Sequence, residues 1–219
     1  MRLALIDYGM GNVRSVFNTF EQLKVSIECT ADPAAILSAD GIVLPGVGAF
    51  GDGMKALEER GLLAVLNEAV IEQRKPYLGI CLGMQFLAEE GFEEGKHAGF
   101  GWIKGAARRL SGSPECKVPH MGWNDVEVLK AGGLFTGLEN PVFYFVHSYY
   151  LDPQESERQF ITALCRHGQP FAAALQKESI FGVQFHPEKS QQAGLQVLEN
   201  FIAYIQLNGA AAAMAGKVN

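Results

Sequence analysis

Pro76-Tyr77-Leu78-Gly79-Ile80-Cys81-Leu82-Gly83 decides the fold. Pro76 to Ile80 is a short apolar run bounded by a proline, which reads as a buried strand. Cys81 then stands between two glycines two positions away on either side. G-x-C-x-G has the form of a nucleophile elbow, a sharp turn from strand to helix with sulfur where hydrolases usually carry serine. The glycines let neighbouring backbone pack close. At such a turn the sulfur faces the amide end of the following helix, where an anion is favoured.

Working toward the amino terminus, the same pattern recurs. Leu3-Ala4-Leu5-Ile6 is an apolar run closed by Gly9-Met10-Gly11. Asn12 to Leu23 carries apolar residues at helical spacing. Val25 to Cys29 and Gly41 to Leu44 read as further strands, the latter stopped by Pro45-Gly46-Val47-Gly48. Met54 to Gln73 reads as one helix, and a helix from Met84 to Glu90 is expected after the elbow. Alternating strands and helices predict a mostly parallel sheet with helices on its faces.

Toward the carboxyl terminus the character changes. Short aromatic segments separated by turns predict an additional, mostly antiparallel strand region in the second half. They are Phe100-Gly101-Trp102, Asn124 to Leu129, Val142 to Val146, Phe160 to Leu164, Phe171 to Leu175 and Ile180 to Phe185. A final helix is expected from about Gln191 to Leu207, and the alanine-rich stretch 209–219 reads as a low-complexity, frayed tail. Residues 1–208 are expected to form one domain.

Composition narrows the function. The chain has 219 residues, 48% hydrophobic and 19% charged, enough for one large α/β domain. Its net charge of −6, without a basic cluster, argues against nucleic acid. No apolar stretch reaches membrane-spanning length. The start MRLALIDYGMGN reads as a first strand rather than a secretory leader, so a cytoplasmic protein is expected. The four cysteines have no C-x-x-C spacing and are expected as free thiols, with Cys29 and Cys165 buried in the core. Gly9-Met10-Gly11-Asn12-Val13-Arg14 has Arg14 where a dinucleotide fingerprint needs its third glycine. The histidines show no H-x-x-H or H-E-x-x-H spacing. No cofactor and no metal are expected.

Chemistry is expected from Cys81 with His186-Pro187-Glu188. His186 ends a strand-like run and Pro187 stops it. Glu188 can bond one ring nitrogen and hold the other toward sulfur. A thiol, an imidazole and an orienting acid are the parts for acyl transfer through a thioester. The amide of Leu82 is placed to bind a developing oxyanion, and the Pro45–Phe50 loop is the natural source of a second donor.

These residues resemble the class I (triad) glutamine amidotransferases, on Gly79-Ile80-Cys81-Leu82-Gly83-Met84-Gln85 and Gln184-Phe185-His186-Pro187-Glu188. Within that group, five stretches resemble the glutaminase subunit of imidazole glycerol phosphate synthase. They are Asp7–Asn12, Pro45–Phe50, Pro119–Asn124, Phe145–Tyr149 and Gln184–Ser190. The resemblance covers nearly the whole chain apart from the alanine-rich tail. It implies the amidotransferase (flavodoxin-like) fold and a single type-1 domain over 1–208. It makes Cys81 the nucleophile on the glutamine amide, His186 the base that then protonates departing ammonia, and Glu188 its orienting acid. Val47, after a peptide flip between Gly46 and Gly48, and Leu82 become oxyanion donors through their amides. Gly48, Gln85, Ser148 and Tyr149 become contacts for L-glutamine. It implies a heterodimer with a (β/α)8 cyclase subunit that joins the ammonia to its own substrate in histidine biosynthesis, giving imidazole glycerol phosphate and AICAR. Asn12, Trp123, Asn124, Tyr144 and Lys189 become interface positions. Trp123 and Tyr144 can equally be read as core aromatics, and Lys189 as an ordinary surface charge. A different thiol hydrolase on a similar sheet, a glutaminase serving another synthase, and a non-catalytic docking module are the alternatives.

Overall fold

The structure is a computed structural model and describes residues 1–114 and 116–215. Its strands, in chain order, are β1 (Arg2–Ile6), β2 (Ser26–Thr30), β3 (Gly41–Gly46), β4 (Tyr77–Cys81), β5 (Glu90–Gly91), β6 (His97–Ala98), β7 (Gly105–Arg109), β8 (His120–Val128), β9 (Val142–His147), β10 (Tyr149–Pro153), β11 (Ile161–His167), β12 (Gln169–Lys177) and β13 (Ile180–Val183). The α-helices are α1 (Val13–Gln22), α2 (Pro33–Ser38), α3 (Phe50–Glu59), α4 (Leu62–Asn67), α5 (Leu82–Gln85) and α6 (Gln191–Ala215). Among the described residues, no helix is long and apolar enough to cross a membrane.

The large sheet has the order β2-β1-β3-β4-β13-β12-β11-β8-β9. Strands β2, β1, β3, β4 and β13 run parallel; from β13 onward the pairs are antiparallel. The mixed α/β architecture with helices on both faces is therefore as the sequence predicts. Alternation along the parallel strands fills two cores. Leu3, Leu5 and Val43 point to the side of α1 and α6, where Phe20, Phe181 and Phe201 pack. Ala4, Ile6, Ile42 and Leu44 point to the side of α2, α3 and α4, with Leu57, Leu66 and Phe86. A strand covered on both faces must be apolar at every position, which is why these runs read as continuous rather than alternating.

Several expected elements differ. The single helix over 54–73 is broken at Gly61, whose φ of 68° is left-handed, and a π-helical turn, Glu68–Glu72, follows α4. The helix over 84–90 is cut to Leu82–Gln85. The carbonyls of Phe86, Leu87 and Ala88, which a longer helix would use, instead accept from the amides of Phe100, Ile103 and Gly101. That exchange also explains why Phe100-Gly101-Trp102 is not a strand; Phe100 and Trp102 stack at 4.4 Å over the second core. A four-stranded second sheet, β10-β7-β5-β6, was not expected. Cys29 is exposed, because β2 is an edge strand, whereas Cys165 is buried as expected. Helix α6 continues to Ala215, beyond Leu207, through a stretch that is mostly alanine, the residue with the highest helix propensity. The end of the tail, Gly216 to Asn219, lies outside the described residues.

Candidate active site

Cys81 ends β4 with φ 55° and ψ −106°, a left-handed backbone that a non-glycine residue rarely adopts. Close packing makes both flanking glycines necessary. A Cβ on Gly79 would run into the carbonyl of Gly83, and one on Gly83 into the carbonyl of Leu44. The elbow is thus a strained turn clamped between β3 and the first turn of α5, and it presents sulfur at the carboxyl end of the parallel strands. Because α5 is only four residues long, the local field comes from its free first-turn amides rather than from a long macrodipole. The Leu82 amide is the first of these.

Strand β13 lies beside β4, with Val183 opposite Ile80. The chain therefore leaves β13 at the same rim where Cys81 turns, and His186 follows immediately. Its backbone amide bonds the Tyr144 carbonyl of β9 at 2.9 Å, and Ser190 Oγ donates to its carbonyl at 2.7 Å, so the loop is tied down at two points. His186 Nδ1 lies 2.8 Å from Glu188 Oε1, and both side chains are almost fully buried. Since a carboxylate only accepts, Nδ1 carries the proton toward Glu188 and Nε2 faces the other way. Among the described residues Nε2 is buried with no partner at hydrogen-bond geometry, yet Cys81 is near enough to act on the ring both by charge and by hydrogen bonding. Burial alone would push the imidazole pKa down. The influence of Cys81 and then of Glu188 outweighs it and lifts the pKa to about 10, so the ring is held as imidazolium.

A cleft of about 420 Å³ opens over the sulfur. Every residue expected to hold substrate or oxyanion lines it: Val47, Gly48, Leu82, Gln85, Ser148 and Tyr149. Gly48 has φ 100°, which few side chains tolerate, and Val47 beside it is 41% exposed. Gly46 pairs with Cys81 in the β3–β4 register, so the Val47 loop rises directly beside the elbow. Tyr8 packs its buried, unpartnered hydroxyl against Gly46; burial and then the nearby Cys81 raise its pKa. The cleft wall also holds Glu93, which is absent from the residues expected at the site. Its carboxylate accepts from the Phe50 amide at the start of α3 at 2.8 Å; burial raises its pKa, and that bond partly offsets the effect. No motif marks Glu93; only the fold brings its loop to the cleft.

The expected interface positions gather on the same rim. Trp123 and Tyr144 are opposite each other in the β8–β9 ladder and pack edge to face at 5.9 Å. Trp123 is 49% exposed, so it is not a core aromatic. Exposed Lys189 sets its ammonium 5.7 Å over the Tyr144 ring. Asn12 caps the start of α1 by position, its side chain accepting from Ser15 Oγ at 2.7 Å. Asn124 turns inward instead and bonds His120 and the Arg166 carbonyl.

The model of the family "glutamine amidotransferase class-I" matches residues 4–205. The chain is 45% identical over 208 residues to "imidazole glycerol phosphate synthase subunit HisH" of Streptococcus sanguinis, covering 95% of this chain and 99% of that one. It is 48% identical to the protein of the same name from Moorella thermoacetica, covering 91% and 93%. Among solved structures, a glutamine amidotransferase superposes with a TM-score of 0.71 at 16% identity, covering 93% of this chain and 98% of that one. The structure of PurLQS from Thermotoga maritima gives 0.69 at 20% identity, covering 93% and 98%. The structural likenesses show the fold. The family match and the full-length relatives show that the chain belongs to the class-I glutamine amidotransferases.

Proposed function

We propose that this chain is the glutaminase subunit of an imidazole glycerol phosphate synthase and that the Cys81 cleft carries its chemistry. Full-length similarity to subunits of that synthase supports the assignment. The observation that carries the site is His186, bonded to Glu188 on one side and left with a buried, unpartnered nitrogen on the other, beside a strained cysteine.

The reaction follows from those parts. The Cys81 thiolate attacks the side-chain amide carbon of glutamine, and the carbonyl oxygen becomes an oxyanion held by the Leu82 amide and, after a peptide flip, that of Val47. As the intermediate collapses, the C–N bond breaks, His186 gives its Nε2 proton to the departing nitrogen, and ammonia leaves. Neutral His186 then takes a proton from water, whose hydroxide attacks the γ-glutamyl thioester. Glutamate departs, and thiolate and imidazolium are restored. Glu188 keeps the ring's orientation and charge throughout. Gln85, Gly48, Ser148 and Tyr149 hold the substrate, and Glu93 supplies negative charge for its ammonium group.

The ammonia passes to a separate (β/α)8 cyclase subunit. The exposed Trp123, the Lys189–Tyr144 pair and Asn12, all at this rim, form the docking side. Replacing Cys81 tests this division of labour. In the complex with a cyclase, Cys81→Ala should abolish glutamine-dependent synthesis and leave ammonia-dependent synthesis at the unsubstituted rate. Loss of both activities in a complex that still assembles would contradict it.

A further inference from the structure

A continuous chain of hydrogen bonds joins the nucleophile to the far side of the β8–β9 hairpin, and every link has only one possible direction. The Tyr149 carbonyl sits at its middle and can only accept. His147 Nδ1 meets it at 2.9 Å, so that nitrogen carries the proton. Gln85 Nε2 meets it at 2.7 Å, so the amide nitrogen of Gln85 points there and not its oxygen.

Outward from that carbonyl, His147 is buried and neutral, its pKa lowered to about 3 by burial, so its Nε2 is a lone pair. It is met at 3.0 Å by His120 Nδ1, which must then be the donor. His120 is also neutral, with its pKa lowered to about 4 by burial and then by His167. Its Nε2 accepts from Asn124 Nδ2 at 3.2 Å. Inward, the second hydrogen of Gln85 Nε2 goes to Gln184 Oε1 at 3.2 Å. Gln184 therefore turns its own Nε2 to the Cys81 sulfur, 3.6 Å away. Reversing any one amide or ring would set two donors or two acceptors against each other in a buried site, where an unsatisfied polar group is costly.

Gln184 is fully buried just beyond the end of β13. A buried amide is costly unless both ends are bonded, and here one end is bonded to sulfur. Besides His186, which acts on Cys81 by charge and hydrogen bonding, the sulfur meets the Val146 carbonyl at 3.9 Å, a contact that suits a thiol hydrogen and not an anion. Among the uncharged contacts, the N–H of Gln184 is the one that suits the anion. Both hydrogens of Gln85 are likewise used, so Oε1 is the atom it offers a ligand, which must be a donor.

We propose that Gln184 binds the Cys81 thiolate during the reaction, and that the Asn124–His120–His147 chain is the positioning device that fixes its orientation through Tyr149 and Gln85. This rests on the reading of Cys81 as nucleophile, but the test of the thiolate contact does not need glutamine turnover. The rate of Cys81 alkylation by iodoacetamide, followed site by site by mass spectrometry, is measured against pH. The charged and titratable groups facing the sulfur are His186 and Tyr8; those facing His147 are His120, His167 and His186. Gln184→Glu keeps size and removes the donor. Gln184→Met fills the same space without polar atoms. In whichever of these melts with the unsubstituted protein, the alkylation rate at neutral pH should fall about ten-fold or more, and the profile should move to higher pH. His120→Phe keeps the ring stack on Phe145 and removes the inward donor. It should shift the profile the same way by a smaller step and raise KM for glutamine more than it lowers kcat. An unchanged profile in both Gln184 variants would overturn the thiolate contact, and an unchanged profile and KM in His120→Phe would overturn the relay. Failure to alkylate Cys81 at any pH in the unsubstituted protein would instead count against the nucleophile itself.

Discussion

The two halves of the large sheet divide the work of the site. The parallel half, whose inner strands β1, β3, β4 and β13 are largely apolar, delivers the reacting atoms at one rim, Cys81 at the end of β4 and His186 just after β13. The antiparallel half, β8, β9, β11 and β12, contributes no reacting atom to the proposed chemistry. It buries His120 and His147, bonded to each other, and ties the His186 loop to β9. One half sets where the chemistry occurs through backbone shape; the other sets how side chains point through hydrogen-bond direction. Backbone shape depends on van der Waals limits that no side chain can relieve. A hydrogen-bond chain can be shortened or retuned without loss of the fold.

The sharpest contrast should come from the elbow. Gly83→Ala places a methyl against the Leu44 carbonyl, which must move or be strained. Overpacking of this kind costs about 1–3 kcal/mol or more, and the displaced elbow should abolish glutaminase activity as well. Calorimetry should show a melting temperature lower by roughly 3–10 °C, and a variant that melts and turns over normally would break the distinction.

Next in size is Glu188→Gln, which keeps the shape of the orienting group and removes its charge. Turnover should fall about 100-fold or more, as for other triads that lose the acid. Glu188 is one of the groups that raise the His186 pKa to about 10, so the alkaline limb should also move. A folded pKa above the ordinary 6.5 contributes stability that is complete below 6.5 and is lost as pH rises through about 10. In Glu188→Gln that loss should be smaller and should end at lower pH in a series of thermal melts. Equal alkaline limbs would detach Glu188 from the ring.

The smallest effect belongs to the antiparallel half. His147 and His120 have folded pKa values of about 3 and about 4, below the ordinary 6.5. The unfolded chain therefore binds more protons, and these residues make stability fall as pH drops from about 6.5 toward those values. His147→Gln retains a hydrogen-bonding group and does not titrate, so its melting temperature should decline less steeply between pH 6.5 and 4. A decline as steep as in the unsubstituted protein would show that the histidine chain is not held neutral.

The same division explains what the sequence discloses. The parallel half is legible because a strand buried on both faces needs an unbroken apolar run, and Gly79, Cys81 and Gly83 bracket one sharp turn. His186-Pro187-Glu188 is legible because the acid and its histidine are two residues apart. The strands of the antiparallel half are legible as short aromatic runs, but which side chains they bring together is not. His120 and His147 are 27 residues apart and become neighbours only through the β8–β9 register. β7 and β10, which pair in the second sheet, carry no comparable local signal: Gly105 to Arg109 is short and mixed, and Tyr149 to Pro153 holds an aspartate and a proline. The elbow helix stops at Gln85 for a tertiary reason, the loss of its carbonyls to the segment from Phe100 to Ile103. Glu93, a carboxylate in unremarkable surroundings, acquires meaning only from what the fold sets beside it, and so does the amide of Gln184, although the stretch it opens is marked by His186 and Glu188.

The most direct measurement is a covalent one. The protein in complex with its cyclase is treated with a chloroketone analogue of glutamine, and the site of attachment is read by peptide mass spectrometry. A single adduct on Cys81, prevented by excess glutamine and absent in Cys81→Ala, is the expected result. Attachment at Cys29, Cys116 or Cys165 instead, or protection of none by glutamine, would contradict the assignment of the elbow as the seat of the chemistry.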